Sequence, residues 1–181
     1  MTTYVVLLRG INVGGQNKVS MTALKRCLED MGHTRVVTYL ASGNVILDST
    51  KSAGEIQAQI EKALPSKFKL DDELVRVLVL TRPQFKAIAK ARPDGFGDQP
   101  GKYHSDAIFL MGIKTAEAME VFKPREGVDQ VWPGKGVIYS QRLSAERTKS
   151  RLGKIVGTVP YKSMTIRSWQ TTARLLELLD A

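Results

Sequence analysis

The order of apolar patterns along the first 80 residues constrains the fold more than any other feature of this sequence. Residues 4–9 (YVVLLR) are rich in β-branched side chains, which predicts a buried strand. Ser20 is a good N-cap, and apolar residues recur at helical spacing from Met21 to Met31, which predicts an amphipathic helix. Residues 35–41 and 44–48 are two strand-like runs separated by two residues, as in a tight hairpin.

A second helix and a fourth strand complete this pattern. Ser52 and Glu55 form a capping box, and the helix that follows is predicted to end at Pro65. Residues 73–80 (ELVRVLVL) predict the fourth strand. The order strand, helix, strand, strand, helix, strand is the split βαβ, or ferredoxin-like, unit.

The second half of the chain repeats this order. Its patterns predict a strand at 104–111, a helix at 115–122, a hairpin of strands at 127–132 and 137–141, a helix from Ala145 and a strand at 164–167. We therefore predict an α+β fold of two ferredoxin-like (βαββαβ) lobes related by internal duplication. The first lobe with a trailing helix spans 1–91, a Pro- and Gly-rich loop spans 92–102, and the second lobe with a C-terminal helix spans 103–181.

Composition excludes several classes of protein. Of the 181 residues, 43% are hydrophobic, so the chain is neither disordered nor collagen-like. Cys27 is the only cysteine, which excludes an intrachain disulfide, and the separation of His33 from His104 argues against a structural zinc site. No apolar run approaches the roughly 18 residues of a membrane span. We expect a cytoplasmic protein with no membrane association, no metal and no cofactor.

A glycine-rich loop at 9–18 (RGINVGGQNK) is the first candidate binding site. It lies between a strand and a helix, where backbone N–H groups and the helix dipole can hold an anion. Arg9 and Lys18 bracket the loop with positive charge, and Asn12 can orient a ligand. The candidate ligand-binding residues of the loop are Arg9, Gly10, Asn12, Gly14, Gly15 and Lys18.

The loop does not match either well-defined phosphate motif. A Walker pattern from Gly10 places its second glycine at Gly15, but Gln16 then stands where the motif needs Lys. A GxGxxG pattern does not occur in it, so nucleotide hydrolysis by a standard P-loop is not expected. Two interpretations stay open: a site for an anionic or polar ligand, and a connection that only makes a difficult turn.

A basic stretch at 142–174 is the second candidate. It holds eight Lys and Arg residues and one acid, Glu146, in a chain of formal net charge +9. If residues 145–159 are helical, Arg147, Arg151 and Lys154 share one face and repel one another. A bound anion would relieve this repulsion, although a basic face can also serve solubility alone. The candidate nucleic-acid-binding residues are Arg147, Lys149, Arg151, Lys154, Lys162 and Arg167.

Other side chains give weaker indications. Tyr139, Tyr161 and Trp169 are candidate stacking platforms, but packing is the favoured interpretation of Trp169. Cys27 falls beside the apolar face of the first helix, which favours a core position. His33 follows a helix C terminus and is interpreted as a surface residue. His104 and Ser105 point to opposite faces of a strand, which excludes a local catalytic triad. The acidic residues at 71–73 are interpreted as a solvated turn, with a divalent-cation site as the alternative.

Three motifs resemble a bacterial family called domain of unknown function 1697. They are LLRGINVGG at 7–15, YLASGNV at 39–45 and TIRSWQT at 165–171, in the family's order. The chain departs from the family at Ser168 and Gln170, where the family usually has Asn, and at 92–97, where it has an Asn-Pro-Phe stretch. The resemblance implies no reaction. The matching positions are Arg9, Gly10, Asn12, Gly14, Gly15, Ser42, Gly43, Asn44, Arg167, Trp169 and Thr171.

These motifs motivate a further hypothesis. Asn12, Asn44 and Arg167 belong to motifs that a core does not need, so we hypothesise that they share a polar site, with Ser42 as a further ligand-binding candidate.

The sequence thus supports two functions of different classes. The favoured one is binding of a polyanion such as RNA or DNA on the basic surface of the C-terminal half. The alternative is an enzyme or binder of a small phosphorylated or carboxylated metabolite at residues 9–18. No general base is identifiable, so the sequence assigns no reaction, and it leaves the oligomeric state open.

Overall fold

The computed structural model describes residues 1–181, which form two compact units. The first unit contains Met1–Lys86 and Leu175–Ala181, and the second contains Ala87–Arg174. Each unit has its own four-stranded antiparallel sheet.

The first unit has the predicted βαββαβ order. Its elements are β1 (Thr2–Leu8), α1 (Met21–Asp30), β2 (Thr34–Tyr39), β3 (Asn44–Ser49), α2 (Ala53–Lys67) and β4 (Val77–Thr81), followed by the start of α3 (Arg82–Lys90). The strands pair in the order β2-β3-β1-β4. Leu24 and Leu28 of α1 and Ile56 and Ile60 of α2 pack in one buried cluster with Val6 of β1, which joins both helices to one face of the sheet.

The second unit repeats the same strand order. Its elements are β5 (Tyr103–Leu110), α4 (Thr115–Met119), β6 (Asp129–Gly134), β7 (Val137–Leu143), three 3₁₀ segments (Ser144–Lys149, Leu152–Ile155 and Pro160–Ser163), β8 (Met164–Ser168) and the start of α5 (Trp169–Asp180). The strands pair in the order β6-β7-β5-β8, equivalent to that of the first sheet. The predicted fold class, with two ferredoxin-like lobes and a C-terminal helix, is confirmed.

The helix predicted from Ala145 to residue 159 is wrong. Short 3₁₀ segments replace it, and extended backbone at Ser150 interrupts them. Gly153 and Gly157 lower the helix propensity of this stretch, and Pro160 limits its extension. Arg147, Arg151 and Lys154 therefore do not line one helical face.

Two smaller predictions also differ from the structure. Helix α2 does not end at Pro65 but continues to Lys67. Proline removes only its own N–H donor, and the next i to i−4 bond, from Phe68 N–H to Leu64 O, still forms at 2.9 Å. His33 is buried, with 2% of its surface exposed, and its Nδ1 lies 3.1 Å from Ser49 Oγ. Burial lowers the pKa of His33, and the charge of Lys51 adds to this effect.

None of the helices combines the length and the apolar character that a membrane crossing requires.

Candidate functional site

The glycine-rich loop is held in place by its own asparagine side chains. The amide of Asn12 donates to the carbonyl oxygens of Val19 (2.9 Å) and Ala41 (2.7 Å), and its Oδ1 accepts from the backbone N–H of Val19 (2.8 Å). Ala41 lies in the turn between β2 and β3. Asn12 therefore ties the loop to that hairpin, and its polar groups are engaged within the protein.

Asn17 closes the other end of the loop against residues 71–72. Its Nδ2 donates to Gly10 O (3.0 Å) and to Asp72 Oδ2 (2.7 Å). Its Oδ1 accepts from the backbone N–H groups of Asp71 (2.9 Å) and Asp72 (3.0 Å), and its own N–H donates to Asp71 Oδ2 (2.6 Å). The acidic residues interpreted as a solvated turn are exposed, but they also anchor this loop.

The loop and the β2–β3 turn meet within the first unit. Asn44 is buried, and its Nδ2 donates to Tyr39 O (2.8 Å) and Ser42 Oγ (3.0 Å). Arg167 belongs to the second unit, so a site that it shares with Asn12 and Asn44 stays a prediction. The engaged amides favour the interpretation of this loop as a connection, with Lys18 exposed and Arg9 half-buried.

Five of the six candidate nucleic-acid-binding side chains lie on the surface of residues 144–163, which we name the basic segment. They are Arg147, Lys149, Arg151, Lys154 and Lys162. The sixth, Arg167 on β8, is only 6% exposed, and burial lowers its pKa to about 10. Its Nη1 donates to Thr165 Oγ1 and Ile166 O, both at 2.9 Å. Arg167 is therefore not part of the exposed basic surface.

Asp129 on β6 anchors the basic segment. Its Oδ1 accepts from Ser150 Oγ (2.6 Å), and its Oδ2 accepts from the backbone N–H groups of Arg151 (2.8 Å) and Arg125 (2.9 Å). Burial raises the pKa of this carboxyl, but these hydrogen bonds and the charge of Arg142 outweigh burial, so the pKa lies below its usual value. The ionised form of Asp129 is thus the one that the fold stabilises.

We expect Asp129→Asn to lower the free energy of unfolding at pH 7 by about 1–3 kcal/mol, because an amide has one acceptor oxygen where the carboxylate has two. A lowered folded-state pKa stabilises the fold above the unfolded pKa, and this contribution is lost as pH falls through the folded value. Urea unfolding at pH 7 and at pH values below the usual Asp pKa of about 3.9 should therefore show the stabilities of variant and wild type converging as the pH falls. Glu126→Gln, at an exposed position, is the control, and a difference that persists unchanged in acid would contradict the assignment.

A polar row on the second sheet was missed by the sequence analysis. His104 and Asp106 lie two residues apart on β5 and so share a face, with His104 Nε2 3.1 Å from Asp106 Oδ2. Arg142 on β7 lies directly opposite His104, and Asp129 lies opposite Arg142. The spacing of two between His104 and Asp106 was the available signal. A triad of adjacent residues remains excluded, whereas residues at i and i+2 of a strand form a same-face pair.

Arg142 is the member of this row with unused hydrogen-bonding capacity. Its Nε is buried and makes no hydrogen bond. Burial raises the pKa of Asp106, and the charges of His104 and Arg142 only partly offset this. The row therefore places a half-buried cationic side chain just before the basic segment in sequence, with its unpaired Nε shielded from solvent.

The candidate stacking residues of the second unit are mostly buried. Phe96 contacts Trp132, Tyr139 and Trp169 edge to face, with ring centroids 5.9, 5.5 and 5.4 Å apart. Tyr139 and Trp169 are buried, and Arg92 lies 5.5 Å from the Trp169 ring centroid. These rings pack in the protein interior, so Tyr139 and Trp169 present no open face to a nucleic-acid base.

Comparison with known proteins agrees with the fold. The model of a family described as "Protein of unknown function (DUF1697)" matches residues 1–139. Among solved structures, the conserved bacterial protein SP0830 from Streptococcus pneumoniae is similar with a TM-score of 0.82 and 23% identity. That match covers 100% of this chain and 99% of the other. No curated protein matches the chain.

Proposed function

This chain belongs to the family of proteins of unknown function DUF1697, and from its own surface chemistry we propose that it binds nucleic acid as a polyanion through the basic segment. The family match ends at residue 139, before this segment, so the proposal depends on the charge of this chain alone. The observation that carries it is the exposure of five basic side chains between Arg147 and Lys162.

The charge is unevenly divided between the two units. The second unit contains 15 Lys and Arg against 8 Asp and Glu, whereas the first contains 12 against 10. Within the basic segment the only acid is Glu146, which pairs with Lys149 at 2.7 Å. A concentrated, exposed positive charge attracts phosphates and gains free energy from the counterions they release.

Tyr139 and Trp169 are buried and Tyr161 in the basic segment is half-buried, which favours phosphate contacts over base stacking as the main binding mode. Binding through phosphates alone carries no base information, so we expect similar affinities for different sequences and for RNA and DNA.

The alternative function is recognition of a small phosphorylated or carboxylated metabolite by Arg9 and Lys18. It requires the glycine-rich loop to present donors outward, whereas the amides of Asn12 and Asn17 bond inward. The two proposals differ in which substitutions abolish binding, so one set of variants separates them.

We expect Arg147→Glu/Arg151→Glu to weaken nucleic-acid binding at least about tenfold, because two phosphate contacts become repulsive. Fluorescence anisotropy of labelled single-stranded RNA, single-stranded DNA and duplex DNA over a range of salt measures this. The salt dependence should also become shallower, by a slope of about 1.4–1.8 for two lost contacts.

The matched control is Lys25→Glu/Lys69→Glu, which makes the same change in net charge at exposed positions of the first unit. It should retain most of the affinity. Equal losses of nucleic-acid affinity in both double variants would mean that only net charge matters. An affinity of Arg147→Glu/Arg151→Glu equal to that of the wild type would overturn the proposal. Loss of nucleic-acid binding in Arg9→Ala/Lys18→Ala, with binding retained in Arg147→Glu/Arg151→Glu, would assign the contacts to the glycine-rich loop and also overturn the proposal.

A further inference from the structure

A groove of about 820 Å³ runs between α1 and α2 of the first unit. Its volume is within the range of about 300–1,000 Å³ typical of small-molecule sites. It lies in the first unit, whereas the basic segment belongs to the second, and the proposed function does not use it.

Apolar groups form the larger part of the groove surface. Cys27 and Met31 of the first helical region and Ala63 and Phe68 of the second contribute thiol, thioether, methyl and aromatic surface. Cys27 is 8% exposed, and burial raises the pKa of its thiol, so it remains protonated and apolar at neutral pH. The small side chain of Ala63 leaves room for an alkyl chain between the helices.

The charged residues that line the groove are predominantly basic. Arg26, Lys62 and Lys67 line it, against a single acid, Asp30. Residues Ser20, Thr22 and Ala23 at the N terminus of α1 also line it, and the first turn of α1 carries no acidic side chain. The positive end of the α1 helix dipole therefore adds to the positive potential of the basic side chains, because no acidic side chain in the first turn neutralises it.

We propose that this groove binds an amphiphilic carboxylate, with its alkyl chain along the apolar walls and its carboxylate at the basic residues. Charge complementarity selects this occupant: the apolar surface fits an alkyl chain, and the excess of basic over acidic lining residues favours an anionic over a cationic head group. The proposal is independent of nucleic-acid binding, which depends on residues of the second unit.

Cys27 supplies a single-site readout because it is the only cysteine of the chain and lies in the groove wall. The probe is decanoate below its micelle concentration, and labelling of Cys27 by N-ethylmaleimide is followed by mass spectrometry. At a decanoate concentration ten times its Kd, we expect labelling to slow about tenfold, in proportion to the unliganded fraction. Decyltrimethylammonium, with the same chain and the opposite charge, should give little protection.

Calorimetric titration with decanoate tests the residues directly. We expect Arg26→Gln/Lys67→Gln to weaken decanoate binding, and Ala63→Phe to abolish it by filling the groove. Lys25→Gln is the matched control, since Lys25 neighbours Arg26 on α1 but does not line the groove. Circular dichroism checks that each variant is folded.

Three outcomes would overturn the proposal. The first is no protection of Cys27 by decanoate. The second is equal protection by decyltrimethylammonium, which would show that charge does not select the ligand. The third is unchanged decanoate binding in Arg26→Gln/Lys67→Gln. The proposal is supported if decanoate protects Cys27 and decyltrimethylammonium does not, and if decanoate binding is weakened in Arg26→Gln/Lys67→Gln but retained in Lys25→Gln. This result would stand whatever the outcome of the nucleic-acid experiments.

Discussion

Gly97→Ala is expected to destabilise the second unit by about 3 kcal/mol or more. A Cβ atom at this position would lie 2.1 Å from Trp169 Cδ1 and 2.7 Å from Nε1, well inside contact distance. The indole has little room to move because it is buried against Phe96. The backbone of Gly97 also has φ +81°, which costs about 1–2 kcal/mol for a residue with a Cβ, and overpacking adds about 1–3 kcal/mol.

Two neighbouring glycines separate these two causes. Gly95 has φ +77° but open space around its Cβ position, so Gly95→Ala should show the backbone cost alone. Gly101 has open space and no positive φ, so Gly101→Ala should be close to wild type. Urea unfolding should show the largest loss of unfolding free energy for Gly97→Ala, a smaller loss for Gly95→Ala and almost none for Gly101→Ala. Equal losses at Gly97 and Gly95 would show that Trp169 moves aside without cost.

The fold was predictable because it depends on local periodicity. Strands such as 4–9 and 44–48 and the capped helices after Ser20 and Ser52 each carry their own signal in adjacent residues. Their order then restricts the topology, and both sheets have the strand order of the ferredoxin-like unit.

Positions decided by distant contacts were not predictable in this way. The surface interpretation of His33 was wrong because Ser49, 16 residues away, and the surrounding core bury its ring. The helical interpretation of 145–159 was wrong partly because Asp129 binds Ser150 and Arg151 in non-helical backbone. Local helix propensity competes with such hydrogen bonds, and here the hydrogen bonds prevail.

The same distinction between local and distant determinants applies to the candidate sites. The basic character of the C-terminal half is a property of composition and was visible in the sequence. The partners of Asn12 and Asn17 were not visible, because Ala41 and Asp72 lie 29 and 55 residues further along the chain. An asparagine that binds a ligand and one that closes a loop look the same in one sequence, and only the geometry distinguishes them.

Asn17→Ala is the substitution that tests the structural role of the glycine-rich loop. We expect it to lower the free energy of unfolding by about 2–4 kcal/mol, because four side-chain hydrogen bonds are lost. The backbone N–H groups of Asp71 and Asp72 would lose their acceptor. The carbonyl of Gly10 would lose a donor. Urea unfolding measures the loss.

Asn17→Gly distinguishes the amide from the backbone conformation. Asn17 has φ +47°, which glycine adopts without strain, so recovery of wild-type stability by glycine would show that conformation alone matters. We expect glycine to recover only a small part of the loss, because it cannot bridge Gly10 and the residues at 71–72. Gln16→Ala, at the preceding exposed position, should leave stability unchanged. That pattern would assign the stability of the loop to the Asn17 amide, which is then committed to the fold and not free to bind a ligand.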